Sequence, residues 1–301
     1  MTDPSCAPPA EVPYGAVSVL VGDRRGAFPY GNSLLVRGRD TTVVVDPSLS
    51  LVDHVPAADM VLVSHGHEDH VAGLGGYDMP VHVHEKDLAA VRSRAAMVAS
   101  FGPAEEHRDA LDRQLRDEFR VADRPDAQGF TEGTVFDLGG HTVTVVHLPG
   151  HTAGHCGFLV EPDGFLFVAD IDLTSFGPFY GDAGSSLVDF EASLRRCREI
   201  DARWYGTAHQ KGVIEGAAEF RSRLDAFTGV VERRDATLLS LLEEPLGVGE
   251  LAAHRLVYRP HVEGVHVPLV ERRTLVRHLA RLSDQGRVEE VEPGLFRSTG
   301  K

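Results

Sequence analysis

Cysteine, lysine and long apolar runs are all scarce in this 301-residue chain, and each scarcity closes off a class of protein. There are three cysteines, Cys6, Cys156 and Cys197, an odd number with wide spacing and no Cys-x-x-Cys pair. That count excludes a disulfide framework and a thiolate metal cluster, and the expected state is reduced thiols in the cytoplasm. No apolar run approaches the roughly 18–20 residues that span a bilayer, so no membrane segment is expected. Residues 1–14 are polar and Pro-rich, with no basic start and no apolar stretch; they give no signal peptide and read as a flexible tail. Lysine supplies only three of the 30 basic residues (Lys86, Lys211 and Lys301), a bias of composition rather than of mechanism.

What the chain has is acid. Asp and Glu number 45, for a formal charge of −15, which disfavours a surface built to grip polyphosphate along its length. The charge is uneven: residues 246–301 carry nine Lys or Arg against seven Asp or Glu, leaving 21 against 38 in residues 1–245. With 42% hydrophobic residues the chain can bury a proper core, and the charge step suggests a large acidic body with a small, slightly basic appendage.

The body alternates β-rich runs with turns. Residues 16–21, 33–36, 41–45, 60–63 and 80–83 read as strands, followed by helices over 85–100 and 104–119 that Gly102-Pro103 separates. These two helices either cover a site as a lid or pack on the core. The rhythm then repeats, with hairpins over 134–148 and 156–169, a helix over 187–200, a strand near Trp204-Tyr205 and a long helix from 217 to 243. Two strand-rich halves with helices outside make an α/β sandwich of two sheets. A boundary falls at Glu243-Glu244-Pro245, so the expected division is a tail (1–14), a body (15–244) and an appendage (245–301). Helices followed by a hairpin over 287–297 give the appendage a winged-helix outline. Arg272, Arg273, Arg277 and Arg281 share its main helix and are expected to form a solvated, ion-paired face.

The chemistry concentrates in loops that follow strands. Ser64-His65-Gly66-His67-Glu68-Asp69-His70 places three imidazoles and a carboxylate within six positions, and these cannot all be core residues because each needs a polar partner. Histidine with carboxylate suits zinc or a similar first-row metal. His151 in Pro149-Gly150-His151, Asp170 after the apolar run 165–169, and His209 in Thr207-Ala208-His209 occupy the same strand-end context, which points to one shared mouth.

This pattern, H-x-H-x-D-H followed by His, Asp and His on later loops, resembles the metallo-β-lactamase fold superfamily over roughly residues 15–230. The resemblance implies an αβ/βα sandwich with two divalent metal ions, zinc foremost and iron or manganese as alternatives. By it, His65, His67 and His151 hold the first ion, Asp69, His70 and His209 hold the second, and Asp170 bridges them. Asp69 and Asp170 are then also the catalytic carboxylates. Asp46 matches an outer aspartate that orients the metal loop, and His155, in a glyoxalase II-like run His151-Thr152-Ala153-Gly154-His155, is expected beside the ligands rather than among them. With its appendage the chain is similar to the lactamase-β-like-2 branch. The departures are Thr207-Ala208 where Pro-Gly usually precedes the last histidine, and Val71-Ala72-Gly73 where many relatives pair glycines.

The expected activity is hydrolysis of a thioester or carboxyl ester by a metal-bridging hydroxide, since two cations lower the pKa of a shared water to about 7. The expected partner is a small-molecule or carrier-linked acyl substrate, with Phe176, Phe179 and Tyr180 as an apolar wall. Nucleic acid and membrane are not expected; a homodimer is open. A single-strand-specific RNA nuclease and a mononuclear iron persulfide dioxygenase remain alternatives on the same ligand set.

Overall fold

A computed structural model of the chain describes residues 8–264 and 266–300; Cys6 lies outside them. Two sheets face each other. The first runs β1 (Ala10–Tyr14), β2 (Val17–Val21), β3 (Ser33–Arg37), β4 (Thr42–Val45), β5 (Met60–Val63), β6 (Val81–His84) and β7 (Gln128–Phe130) in sequence order. The second is made of β8 (Val135–Asp137), β9 (Thr142–His147), β10 (Cys156–Glu161), β11 (Phe165–Phe167), β12 (Trp204–Gly206) and β13 (Val213–Glu215), in the order 13-12-11-10-9-8. Both sheets are mixed: β4 to β7 pair in parallel, as do β11 and β12, and the other neighbours are antiparallel.

Side-chain alternation explains why these strands read as continuous apolar runs. Leu34, Val36, Val43, Val45 and Leu62 point between the sheets toward Val143, Val145, Phe158, Phe165 and Phe167. Their neighbours Leu35, Val44, Val61 and Val63 point the other way, under helices. A strand covered on both faces shows no polar alternation. The helical turns Asp23–Gly26 (α1), Glu68–Val71 (α2) and Leu88–Arg92 (α3), with α4 (Arg94–Phe101) and α5 (Glu105–Asp117), belong to the first half. Helices α6 (Leu187–Glu199) and α7 (Ala217–Leu241) cover the second sheet through Leu194, Phe220, Leu224 and Phe227.

Several expectations change. Residues 10–14, read as part of a tail, form β1; Tyr14 fixes it by packing on Phe165 and Trp204 at 5.8 and 5.7 Å. The helix expected over 85–100 breaks at Ser93, where the Asp123 carboxylate accepts the Arg94 amide at 2.6 Å and starts a new helix. The edge strand β7 carried no apolar run to reveal it.

The C-terminal element consists of β14 (Leu246–Gly247), α8 (Val248–Ala253), α9 (Val267–Asp284), β15 (Val288–Glu292) and β16 (Leu295–Ser298), with a small sheet in the order 14-16-15. Pro268 sits in the first turn of α9, where a missing N–H costs nothing. The core of this element contains Leu251, Leu275, Leu279 and Leu282, together with Leu238 and Leu242 at the end of α7. One helix thus contributes to both cores, and no flexible linker separates them. Among the described residues, no helix is long and apolar enough to cross a membrane.

Because α7 joins the two cores, Leu279→Ala is expected to destabilise the whole chain by about 2–5 kcal/mol. Denaturant unfolding should remain one transition. Two separated transitions would show an independently folding C-terminal domain.

Candidate metal centre

The parallel strands bring the residues picked from sequence to one edge. Asp46 follows β4, His65 follows β5, Asp170 follows β11 and His209 follows β12. His151 follows β9 in a turn that needs glycine: Gly150 has φ 131°, and a Cβ there would lie 2.3 Å from the Phe190 backbone. All seven expected ligands converge. One ligand atom from each of His65, His67 and His151 lies within 4.8 Å of the others, and the same holds for His65, His70 and Asp170 and for Asp69, His70 and His209.

Four of the imidazoles share one arrangement. Their Nδ1 atoms are anchored outward: His65 on Ser64 Oγ at 3.0 Å, His70 on Asp46 Oδ2 at 2.8 Å, His151 on the Phe179 carbonyl at 3.0 Å and His209 on the Gly26 carbonyl at 3.0 Å. Their Nε2 atoms point into the cluster. Those of His65 and His151 are 3.2 Å apart, that of His70 is 3.0 Å from Asp170 Oδ1, and that of His209 is 3.2 Å from Asp69 Oδ2. His67 is reversed: its Nε2 meets Asp182 Oδ2 at 3.1 Å, so Nδ1 is the nitrogen left for a ligand role.

The donor set fits a pair of divalent ions. Asp69 Oδ2, His70 Nε2 and Asp170 Oδ1 are buried and face only one another and other ligand atoms of the cluster, with no well-aligned hydrogen bond. Buried polar atoms without partners are costly, and three of them facing one space ask for cations. Nitrogen and carboxylate oxygen are what zinc, iron and manganese accept. The same carboxylates favour protons on the imidazoles beside them. Burial opposes charge on His70, yet Asp69, Asp170 and Asp46 raise its pKa well above the usual imidazole range. Against the same burial, Asp170 and Asp69 lift His209 to about 9. His65, buried and next to His70, is held well below the ordinary value.

Asp46 anchors this arrangement from behind. It has left-handed backbone (φ 48°), and its carboxylate accepts the Ser64 amide and hydroxyl, both at 2.6 Å, as well as the His70 N–H. His155 uses both nitrogens elsewhere: Nδ1 donates to the Leu148 carbonyl at 2.9 Å and Nε2 accepts the Asp170 amide at 3.2 Å. Burial, together with His151, pushes it down to about 3, so it is neutral.

Two supports escaped the sequence reading. Asp87 after β6 accepts the Gly66 amide, the Thr152 hydroxyl and the Gly154 amide at 3.0, 2.5 and 2.8 Å, tying the His65 and His151 loops together. Its strand-end position was the available signal. The second support is the C-terminal helix. Arg277 donates to the Asp182 and Ser185 carbonyls at 2.7 and 2.9 Å, and Ser185 Oγ donates to the His151 carbonyl at 2.7 Å. Asp235 accepts from His278 Nδ1 at 2.5 Å, which leaves Nε2 to accept the Tyr180 hydroxyl at 2.8 Å. Tyr180, expected in an apolar wall, is therefore a buried connector, whereas Phe176 and Phe179 do line the cavity.

That cavity, of about 870 Å³, lies over the cluster. Phe101, Leu111 and Phe119 from the α4–α5 side form one wall, so these helices cover the site. Tyr258, Val262 and Leu269 from the C-terminal element form the opposite wall. Arg273 joins the walls by donating to the Phe101 and Gly102 carbonyls, each at 2.6 Å, and the Phe101 ring stacks on His67 at 5.4 Å. Of the α9 arginines, Arg272 is exposed and Arg281 is ion-paired with Asp235 and Glu191, as expected, but Arg273 and Arg277 bind main-chain carbonyls instead.

An ion requires His70 and His209 without the protons that Asp69 and Asp170 now favour, so metal uptake should release protons and affinity should rise with pH toward about 9. Calorimetry of zinc binding in two buffers of different ionisation enthalpy measures this; proton-neutral binding at pH 7 contradicts it. Asp46→Asn should lower zinc affinity by roughly 10–100-fold through misorientation of His70, with the ligands themselves intact.

Comparison with known proteins agrees with this geometry. Residues 26–209 match the model of the metallo-β-lactamase superfamily. The chain is 27% identical over 161 residues to the hydroxyacylglutathione hydrolase GloC of Haemophilus influenzae, covering 48% of this chain and 68% of that one. A metallo-β-lactamase family protein from Thermus thermophilus superposes with TM-score 0.71 at 22% identity, over 94% of this chain and 98% of its own. A β-lactamase domain protein from Burkholderia ambifaria gives TM-score 0.66 at 19% identity, over 98% and 96%. The fold, C-terminal element included, therefore recurs, and by fold, motif and buried His/Asp cluster the chain belongs to the metallo-β-lactamase superfamily.

Proposed function

We propose that this metal-dependent hydrolase cleaves acyl thioesters, with an acyl group seated in the apolar cavity above two ions. The observation that carries the reading is the cavity itself: largely apolar walls on both sides, with the His/Asp cluster as its floor. A volume of about 870 Å³ suits an acyl chain or a compact polycyclic group rather than a polymer. His65, His67 and His151 would hold one ion, Asp69, His70 and His209 the other, with Asp170 between them. When bound, the ions supply Lewis-acid polarisation of the carbonyl and acidification of water.

The protein's own groups do the rest. Asp46 fixes the ring of His70, the Phe179 carbonyl fixes that of His151, and Asp182 fixes that of His67. The walls exclude bulk water from the acyl group and orient its carbonyl toward the floor. A thiolate leaves without a strong general acid, and the cavity needs none. Similarity to a hydroxyacylglutathione hydrolase, itself a thioester hydrolase by name, supports the same bond type. The acidic body and the engagement of Arg273, Arg277 and Arg281 inside the molecule leave little on α9 to grip phosphates.

The test is a panel of acyl-CoA, acyl-glutathione and acyl-N-acetylcysteamine thioesters against labelled single-stranded RNA, on protein of measured metal content. Thioester turnover should accompany about two zinc per chain, vanish with chelator, and fall at least 1,000-fold in His67→Ala, roughly as for loss of a key transition-state stabiliser. KM should change little between low and physiological salt. RNA cleavage with a steep salt response would establish the nuclease instead, and one iron per chain with persulfide oxidation would establish the dioxygenase.

A further inference from the structure

Between α8 and α9 the described residues form no helix or strand, yet residues 255–262 are fixed by hydrogen bonds from within. Glu271 of α9 is 2% exposed and uses its carboxylate on three successive main-chain amides. Leu256 N–H donates to it at 2.7 Å, Tyr258 N–H at 2.7 Å, and Val257 N–H is shared between both oxygens at 3.1 and 3.2 Å. Arg255 fastens the next turn by donating to the carbonyls of Arg259, Pro260 and Val262 at 3.1, 3.1 and 2.7 Å. Charged hydrogen bonds to main chain are strong and directional, and here they serve only to hold a loop.

What they hold in place is Tyr258. Its ring rests against Phe176 at 5.8 Å and His266 at 5.6 Å, and it lines the cavity that also contains His67, Asp170 and Asp182. Its hydroxyl has no hydrogen-bond partner among the described residues. Burial, with the carboxylates of Asp182, Glu271 and Glu68, raises its pKa far above the phenol value, so it remains a donor at every working pH. A half-buried phenol ordinarily finds a partner.

We propose that Tyr258 contacts the substrate directly, its hydroxyl donating a hydrogen bond to the carbonyl oxygen of the acyl group, and that Glu271 is the positioning residue that sets it there. This rests on the acyl-hydrolase reading and names the group from the C-terminal element that recognises the carbonyl. An apolar wall alone would leave the hydroxyl without a role.

Tyr258→Phe keeps the ring and removes only the donor. On zinc-loaded protein, two probes separate the questions: decanoyl-N-acetylcysteamine, and its non-hydrolysable ketone with a methylene between carbonyl and sulfur. The expected results are unchanged zinc content, kcat lower by at least tenfold with a smaller change in KM, and about tenfold weaker calorimetric binding of the ketone. Glu271→Gln should lower kcat in the wild-type background and add little to Tyr258→Phe, since both act through one group. Wild-type kinetics and ketone affinity in Tyr258→Phe overturn the proposal while leaving the hydrolase reading intact. Ketone binding that depends on Tyr258, in a protein that hydrolyses no thioester, overturns the hydrolase reading and keeps Tyr258. A wild-type protein that neither binds the ketone nor hydrolyses the thioester overturns both.

Discussion

Asp46 accepts three hydrogen bonds at the seam between β4 and β5, and the site is built outward from that carboxylate. Two of the bonds come from Ser64 and lock the end of β5; the third sets the ring of His70. His70 belongs to two of the three ligand groups, so its orientation decides whether the Asp69–His209 side and the Asp170 side share one centre. The buried Asp46 carboxylate is satisfied there by three donors. Asp87 repeats the device two strands further along, gripping the His65 and His151 loops at once.

The C-terminal element extends the same logic to the outer side. The loop carrying Phe176, Phe179 and Asp182 orients His151 and His67 with its inner face, while Arg234, Arg277 and His278 pin it from α7 and α9. The appendage suggested by the charge step is therefore joined to the ligand shell by polar contacts as well as by a shared helix. It also supplies part of the cavity wall, through Tyr258, Val262 and Leu269. A metal site whose ring orientations depend on such outer contacts is sensitive to changes in residues that never touch an ion.

How much of this was legible depended on the distance over which each contact acts. The ligands stood out because each lies in the loop after a strand, and strands of both sheets that run the same way end at one edge of the sandwich. Asp182 and Tyr258 gave no such signal: one lies in an irregular loop, the other in a segment punctuated by Pro260 and Gly264. Arg273 and Arg277 were misread as part of a solvated, ion-paired face for a definite reason. Arg273 meets a carbonyl 172 positions away, and a main-chain acceptor leaves no mark on the sequence. Strand β1 was missed because four of its five residues are exposed, so register and the Tyr14 ring hold it rather than apolar periodicity.

The order in which the cavity walls occur along the chain has a consequence for biosynthesis. Residues His65 to His151 emerge from the ribosome early, with the α4–α5 wall between them, while Tyr258, Leu269 and Arg273 come near the end. Until α9 has been made, Phe101, Leu111 and Phe119 lack the residues that complete the cavity around them. All seven cluster residues thus precede this part of the cavity wall in synthesis, and the cavity cannot be complete until the last helix exists.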